Sequence, residues 1–509
     1  MKIEQLVLSN FRSYNDEIVV NFNDLNVFVG KNDIGKSTIL EALDIFFNEG
    51  KGLIKIEKDD INKNLLAQGN EEIKISVIFG DLPPEITIDS TNSTTLCNEY
   101  LLNQHNKLEI IKKYPKAGKE KVFVKAYHPS NPQCSDLLSK KQDFLKKKIQ
   151  SENIPCEDKT KNSVMRNAIW GYYSDNLDLI EQEIELAKID EKNTWDQLKK
   201  HLPLYALFQS DRKNSDGDNE VQNPMKLAVQ EILKDQRLMD TLNNVATEVE
   251  AKLQEVAANT LDKLNEMNPE IAQSLTPVIP TADSLKWIDV FKNVSITGDD
   301  DIPINKRGSG VKRLVLLNFF RAEVDRRKNQ SNIQDVIYAI EEPETSQHPH
   351  HQKKLIEAFI ELSKSDNTQI ILTTHSPAVV KLLKFEHLKL IKHGTKKEVV
   401  NVEKKKLPYP SLNEVNYSAF SETNDEYHNE LYGFIESEGL LSEYKEGKST
   451  LEYKRQFRGK ITIERKILSE YIRHQIHHPE NTNNSKYTES ELLESIKDMR
   501  RFIEHNSIK

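Results

Sequence analysis

Four short stretches of this chain combine residue types that could bind and cleave a phosphate anhydride. Gly30-Lys31-Asn32-Asp33-Ile34-Gly35-Lys36-Ser37 fills every fixed position of the G-x-x-x-x-G-K-[ST] pattern. Its glycines let backbone N–H groups turn inward around phosphate oxygens, and the following helix N-terminus adds a favourable field for an anion. Lys36 can reach the outer phosphates and Ser37 can offer a hydroxyl to Mg²⁺, so the candidate cradle runs from Gly30 through Thr38. The second stretch, Glu341-Glu342-Pro343-Glu344, closes the apolar run Val336–Ile340. One carboxylate there can support the metal, and its neighbour can accept a proton from attacking water. The third is Thr373-Thr374-His375-Ser376-Pro377, where a histidine can hydrogen-bond a terminal phosphate or simply cap a turn. The fourth, Arg307-Gly308-Ser309-Gly310-Val311-Lys312-Arg313-Leu314, sets a glycine-flanked serine before an apolar helix, either as a phosphate contact or as a plain loop.

The elements around these stretches are of the kind needed to position them. Leu25–Val29 reads as a buried strand entering the glycine loop, and Thr38–Leu43 as the helix leaving it. Ile73–Phe79 and Val122–Val124 read as antiparallel hairpin strands, whereas Val336–Ile340 and Gln369–Thr373 are uninterrupted apolar runs of the parallel-strand kind. The fold class expected is therefore α/β, a P-loop head with a helical insertion and a separate α-helical C-terminal segment. The expected domains are residues 1–134 (head, with the P-loop and hairpins), 135–285 (helical insertion), 286–410 (rest of the head) and 411–509. In the insertion, Leu238, Leu242, Val245, Val249, Leu253 and Val256 keep a three-four spacing suited to a short helical hairpin or a coiled-coil seam. Leu407-Pro408-Tyr409-Pro410 is the candidate linker, and Thr488-Glu489-Ser490-Glu491 the capping box of a last helix.

Composition narrows the setting. The chain has 509 residues, 30% of them charged, and carries a net charge of −9, which does not announce nucleic-acid binding. Its charge is uneven, however. Lys140, Lys141 and Lys146–Lys148 form one basic tract, and Lys381, Lys384, Lys389, Lys392, Lys396, Lys397 and Lys404–Lys406 another. These are either solvated faces or a surface for a phosphate backbone. No apolar run approaches membrane-spanning length and no secretory signal is visible. Cys97, Cys134 and Cys156 lack metal-ligand spacing, so a cytoplasmic setting without zinc is expected.

The order Asn10-Phe11-Arg12-Ser13, Gly30–Ser37, Arg307–Leu314, Ile340–Pro349 and Thr373–Pro377 resembles the ATP-binding-cassette ATPases of the RecF/SMC/OLD kind over about residues 1–395. The resemblance implies ATP and Mg²⁺ as cofactors. Lys36 and Ser37 would bind phosphate and metal, Glu341 would support the metal, Glu342 would be the catalytic base and His375 the switch histidine. Gly308, Ser309 and Gly310 would complete a second protomer's site, so ATP would be sandwiched in a homodimer or higher oligomer of heads. Arg12 would lie near the nucleotide, and Gln209 is a candidate for the glutamine of the Q-loop.

Departures from the family narrow the reading further. The chain lacks the long coiled coil and Cys-x-x-Cys hook of SMC-type proteins, and no convincing TOPRIM pattern follows Pro377. A short ATPase with a private C-terminal segment resembles the ATPase subunits of bacterial antiviral systems, of the Septu type or the retron-associated type paired with an HNH endonuclease. That implies a partner nuclease, with nucleic acid a further candidate partner and no membrane role. Two alternatives stay open. Arg473 and His478 fit the R-x4-H spacing of HEPN ribonucleases, which would make the chain an ATP-gated ribonuclease; equally, they are residues suited to a helix C-terminus. The other alternative is a DNA-repair ATPase of the RecF/SMC kind.

Overall fold

A computed structural model describes residues 1–49, 52–89, 92–186, 192–209, 229, 231–233, 235–267, 287, 318–320, 322, 335–345, 347–393, 397–407, 409–457 and 460–507. Gly308, Ser309 and Gly310, with the rest of Arg307–Leu314, lie outside the described residues.

Alternation of apolar and polar residues in β1 (Lys2–Ser9) and β2 (Ile18–Asn21) suits a sheet with one covered face. Five successive buried residues in β3 (Leu25–Val29) suit a strand covered on both faces. The two patterns lead to two sheets. The first is antiparallel, in the order β2-β1-β4-β7-β8-β9, with β4 (Glu72–Gly80), β7 (Leu108–Pro115), β8 (Lys121–Pro129) and β9 (Leu179–Glu185). A short pair, β5 (Ile86–Asp89) and β6 (Asn92–Thr94), stands beside it in sequence. The second sheet runs β10-β11-β12-β3-β13-β14, with β10 (Leu204–Phe208), β11 (Val336–Glu341), β12 (Thr368–Thr374), β13 (Leu388–His393) and β14 (Lys397–Asn401). Here β11, β12, β3 and β13 are parallel and β14 turns back antiparallel on β13. One apolar core holds residues of both sheets and of helix α1 (Lys36–Asn48), among them Phe28, Leu43, Phe46, Phe79, Ile110 and Ile371. The head is thus the expected α/β ATPase fold.

The chain divides into two units, Met1–Leu207 with Asp335–Thr345 and Gln352–Lys509, and Phe208–Gln334 with Ser346–His351. The helical run expected over 135–285 is interrupted. Helices Gln142–Ser151 and Asn162–Tyr172 are present, but β9 and β10 follow as strands of the two sheets. In β9, Leu-Ile-Glu-Gln-Glu-Ile-Glu has enough acid to look helical, yet its residues Leu179–Glu185 pair along β8. In the second unit, the helix Gln236–Met267 carries the apolar seam, with Val245, Val249, Leu253 and Val256 exposed and Ala246 buried. A second arm for the expected hairpin would lie outside the described residues.

The C-terminal segment is not wholly helical either. Helices Leu412–Phe420, Asp425–Ser437, Leu468–His477 and Glu489–Ser507 surround a core of Tyr427, Leu431, Ile435, Ile472, Ile496 and Met499. Between them, β15 (Thr450–Phe457) and β16 (Lys460–Ile467) form an antiparallel hairpin. The expected capping box is formed: Thr488 N–H donates to Glu491 Oε2 at 2.7 Å, and Glu491 N–H to Thr488 Oγ1 at 3.2 Å. No helix among the described residues is long and apolar enough to cross a membrane.

Candidate active site

Strand register brings three of the four stretches to one edge. Glu341 stands opposite Thr373 across the β11–β12 ladder, and Thr373 opposite Phe28 across the β12–β3 ladder. Because the strands are parallel, the residues that follow (Glu342, His375 and the glycine loop) all leave the sheet at its carboxyl edge. That edge is where open α/β sheets bind ligands.

The loop itself is built on residues with left-handed backbone. Asp33 has φ 63° and Gly35 φ 111°, and a Cβ on Gly35 would stand 2.9 Å from Tyr14 Oη. Gly35 is the N-cap of α1, whose first turn has no side-chain cap and no acidic residue. Its N–H groups are left for an anion, as the helix dipole favours. Lys36 is 4% exposed, and its Nζ donates to the carbonyls of Gly30 at 2.8 Å and Lys31 at 2.9 Å. Burial lowers its pKa, against the opposing pull of Glu342, Glu344, Asp33 and Glu341. Lys31, Asn32 and Asp33 are exposed, Ile34 is half-buried, and Thr38 is buried inside α1.

Ser37 Oγ donates to Glu341 Oε1, which joins the loop to the acidic strand end. A hydroxyl and a carboxylate in contact are the hard oxygen donors Mg²⁺ takes, so the residues fit that ion. Beside them, Glu342 has φ 44°, uncommon for a residue with a Cβ. Its N–H is held by the carbonyl of Thr373 at 3.1 Å and by Thr373 Oγ1 at 3.2 Å. Its carboxylate meets His375 Nδ1 at 3.1 Å. The strained turn therefore aims Glu342 at His375 and the loop mouth, where it could accept a proton.

Glu344 is a site residue that sequence reasoning passed over. It is 6% exposed, accepts from Thr374 Oγ1 at 2.6 Å and His375 N–H at 3.2 Å, and lies 3.7 Å from His375 Nδ1. Burial raises its pKa, with Thr374 and His375 opposing. The only sequence signal was the third acid in Glu-Glu-Pro-Glu. Glu344 fixes the backbone of the histidine loop, and so the place of His375.

Other candidates are placed differently. The Arg12 guanidinium is taken by Glu41 of α1 and by Asp60 at 2.7 Å, so it braces the helix behind the loop. Gln209 directly follows β10, the edge strand beside β11. Arg473 and His478 engage separate partners. Arg473 pairs with Glu436 at 2.9 Å and covers the Tyr432 ring, while His478 pairs with Glu480 at 3.2 Å and stacks on His474. Within the basic tracts, Lys148 pairs with Glu152 and Lys381 with Glu426, whereas Lys389 is buried against Asn401 and pushed down to about 8 by that burial.

Fold and site together define a P-loop ATPase. Residues 1–380 match the AAA ATPase domain family, and the chain belongs to it. The chain is 29% identical over 108 residues to the DNA replication and repair protein RecF of Lactococcus lactis subsp. cremoris (strain SK11), an alignment that covers 20% of this chain and 29% of that protein. It thus spans about three tenths of the length of this relative. It is 23% identical over 401 residues to an ATP/GTP phosphatase of Helicobacter pylori (strain ATCC 700392 / 26695), covering 75% of this chain and 87% of the relative. It is 22% identical over 411 residues to the endonuclease GajA of Bacillus cereus (strain VD045), covering 78% of this chain and 59% of the relative. Among solved structures, an SMC head bound to the C-winged helix domain of ScpA aligns at 14% identity and TM-score 0.36, over 79% of this chain and 98% of that one.

Proposed function

We propose that this chain hydrolyses ATP and that nucleotide-dependent dimerisation of its heads controls a partner nuclease, of the HNH type, in bacterial antiviral defence. The observation that carries the reading is the meeting of Ser37 with Glu341 and of Glu342 with His375 at the carboxyl ends of adjacent parallel strands. The N–H groups from Gly30 to Thr38 would hold the phosphates, and Ser37 and Glu341 the Mg²⁺ ion. Bound there, the ion would neutralise charge developing on the phosphates. Glu342 would orient water and take its proton at a carboxylate oxygen. His375, tied to Glu342 and Glu344, would report the terminal phosphate to the loop that follows it.

That loop leads toward the C-terminal segment. Asn416 Nδ2 donates to the Pro377 carbonyl at 3.2 Å, and Lys381 pairs with Glu426. These two contacts give the histidine loop a grip on the segment where the partner would dock. Gly308, Ser309 and Gly310 are assigned to the partner head's site, and cleavage to the partner nuclease. The likeness to an endonuclease over 78% of this chain supports a link to nucleic-acid cleavage.

Light scattering of the Glu342→Gln protein with ATP and Mg²⁺ tests the reading, and a dimer is expected. A protein that stays monomeric when loaded with ATP would sink it. A second reading, a DNA-repair ATPase, draws on the likeness to RecF over 108 residues. It requires turnover to rise strongly when DNA is added, whereas the first reading requires co-purification with a nuclease.

A further inference from the structure

Two adjacent carbonyls of the glycine loop are gripped from outside the loop. The Ile34 carbonyl accepts from Lys397 Nζ at 3.0 Å, and the Gly35 carbonyl from Tyr14 Oη at 3.1 Å. A trans peptide is planar, with its C=O and N–H on opposite sides. Fixing these two carbonyls therefore fixes the N–H groups of Gly35 and Lys36 in the opposite sense, away from Lys397 and Tyr14. Those are two of the donors a phosphate cradle needs.

Lys397 opens β14, the edge strand, and stands opposite His393 on β13; β13 in turn lies along β3, the strand that enters the loop. A lysine 363 residues from Ile34 in sequence is thus carried to the loop by two strand pairings. Among the described residues no carboxylate lies within ion-pair distance of its ammonium, which also sits 5.8 Å from the centre of the Tyr14 ring. The charge is met by a carbonyl and an aromatic face. A solvated edge lysine would have no reason to hold this place, since its head would lie in water.

We propose that Lys397 is a positioning residue of the phosphate cradle, acting through the Ile34–Gly35 peptide to set the loop's N–H groups toward the nucleotide's phosphates. The proposal rests on the ATP-binding reading of Gly30–Ser37. Tyr14 performs the same task one peptide further on.

Steady-state turnover and fluorescent-nucleotide binding on the full chain test it, with wild type, Lys36→Ala, Lys397→Met and Lys397→Arg side by side. Lys397→Met should raise KM and Kd for ATP about tenfold while kcat at saturation stays within about twofold, because one charged hydrogen bond to the loop is lost and the reacting groups are intact. Lys397→Arg, which keeps a cationic donor, should recover most of the affinity. Unchanged affinity in Lys397→Met overturns the proposal. So does a matching fall in kcat with a lowered melting temperature and no rescue by arginine, which marks a merely structural lysine. If the wild type binds no ATP, or Lys36→Ala binds it equally well, the underlying site reading falls first and takes this inference with it.

Discussion

Charge is arranged in opposite ways at the strand ends and in the C-terminal segment. Around Lys36 stand Asp33, Glu341, Glu342 and Glu344, a local excess of acid, at an edge open enough for His375 to be 41% exposed. In the C-terminal segment the fully buried Glu414 is matched bond for bond. Arg500 reaches it at 2.9 Å and 2.6 Å, and the Tyr427 hydroxyl donates to the same carboxylate. Balanced charge holds helices together. Unbalanced charge costs stability and persists where a ligand will complete it.

The largest expected effect falls on the unbalanced side. Lys36→Ala should lower ATP turnover by at least about a hundredfold, as loss of a preorganised phosphate contact does. Phosphate release measures it, and retained turnover would undo the assignment of the loop. On the balanced side, Glu414→Ala should cost about 2–4 kcal/mol, because the half-buried Arg500 loses both short bonds and keeps only Glu504 at 3.6 Å. Denaturant unfolding reads that loss; a cost below about 1 kcal/mol would erase the contrast between the two regions.

A smaller effect is set by pH. His428 is wholly buried; its Nε2 meets Ser495 Oγ at 2.9 Å, and among the described residues its Nδ1 has no partner. Burial, with the nearby charge of Arg473, pushes its pKa down from 6.5 to about 3. The folded protein therefore keeps this imidazole neutral through a range in which the unfolded chain protonates it. Its contribution is complete above pH 6.5 and is lost as the pH falls from there toward 3. Between pH 6.5 and pH 5 the loss should be about 2 kcal/mol, at roughly 1.4 kcal/mol per unit. His428→Gln should flatten that part of the stability profile. Smallest of all, Lys381→Ala should change stability by less than about 1 kcal/mol, and raised salt should mask it, because Glu426 is 61% exposed.

The two regions also differed in how much of them could be read in advance. The glycine loop, the acids after Ile340 and the histidine after Thr374 each announce themselves within a few residues, because the chemistry demands fixed types at fixed spacing. Glu344 and Lys397 did not, since their places arise only when β12 is laid beside β11, and β14 beside β13, itself paired with β3. In the C-terminal segment the final helix was legible from its capping box and inward apolar positions. The β15–β16 hairpin was missed, although Ile461-Thr462-Ile463 alternates and Gly459 lies between the strands in sequence. Arg12, expected near the nucleotide from its place in a motif, is held by Glu41 of the helix that follows the loop and by Asp60.

The strand order of the second sheet also sets a timetable for the nascent chain. β3 leaves the ribosome early, yet its neighbours are β12 and β13, whose pairings join Leu25 to Ile370 and Leu390 to Val29. At about 5–20 residues per second, the five residues of β3 wait on the order of 20–70 s for the strands that flank them. Until then, two unpaired edges of a strand whose residues are all buried in the folded protein are open to neighbouring chains. Slow synthesis or a crowded cytosol should therefore threaten yield through this strand first, and a chaperone that shields the amino-terminal third should protect it.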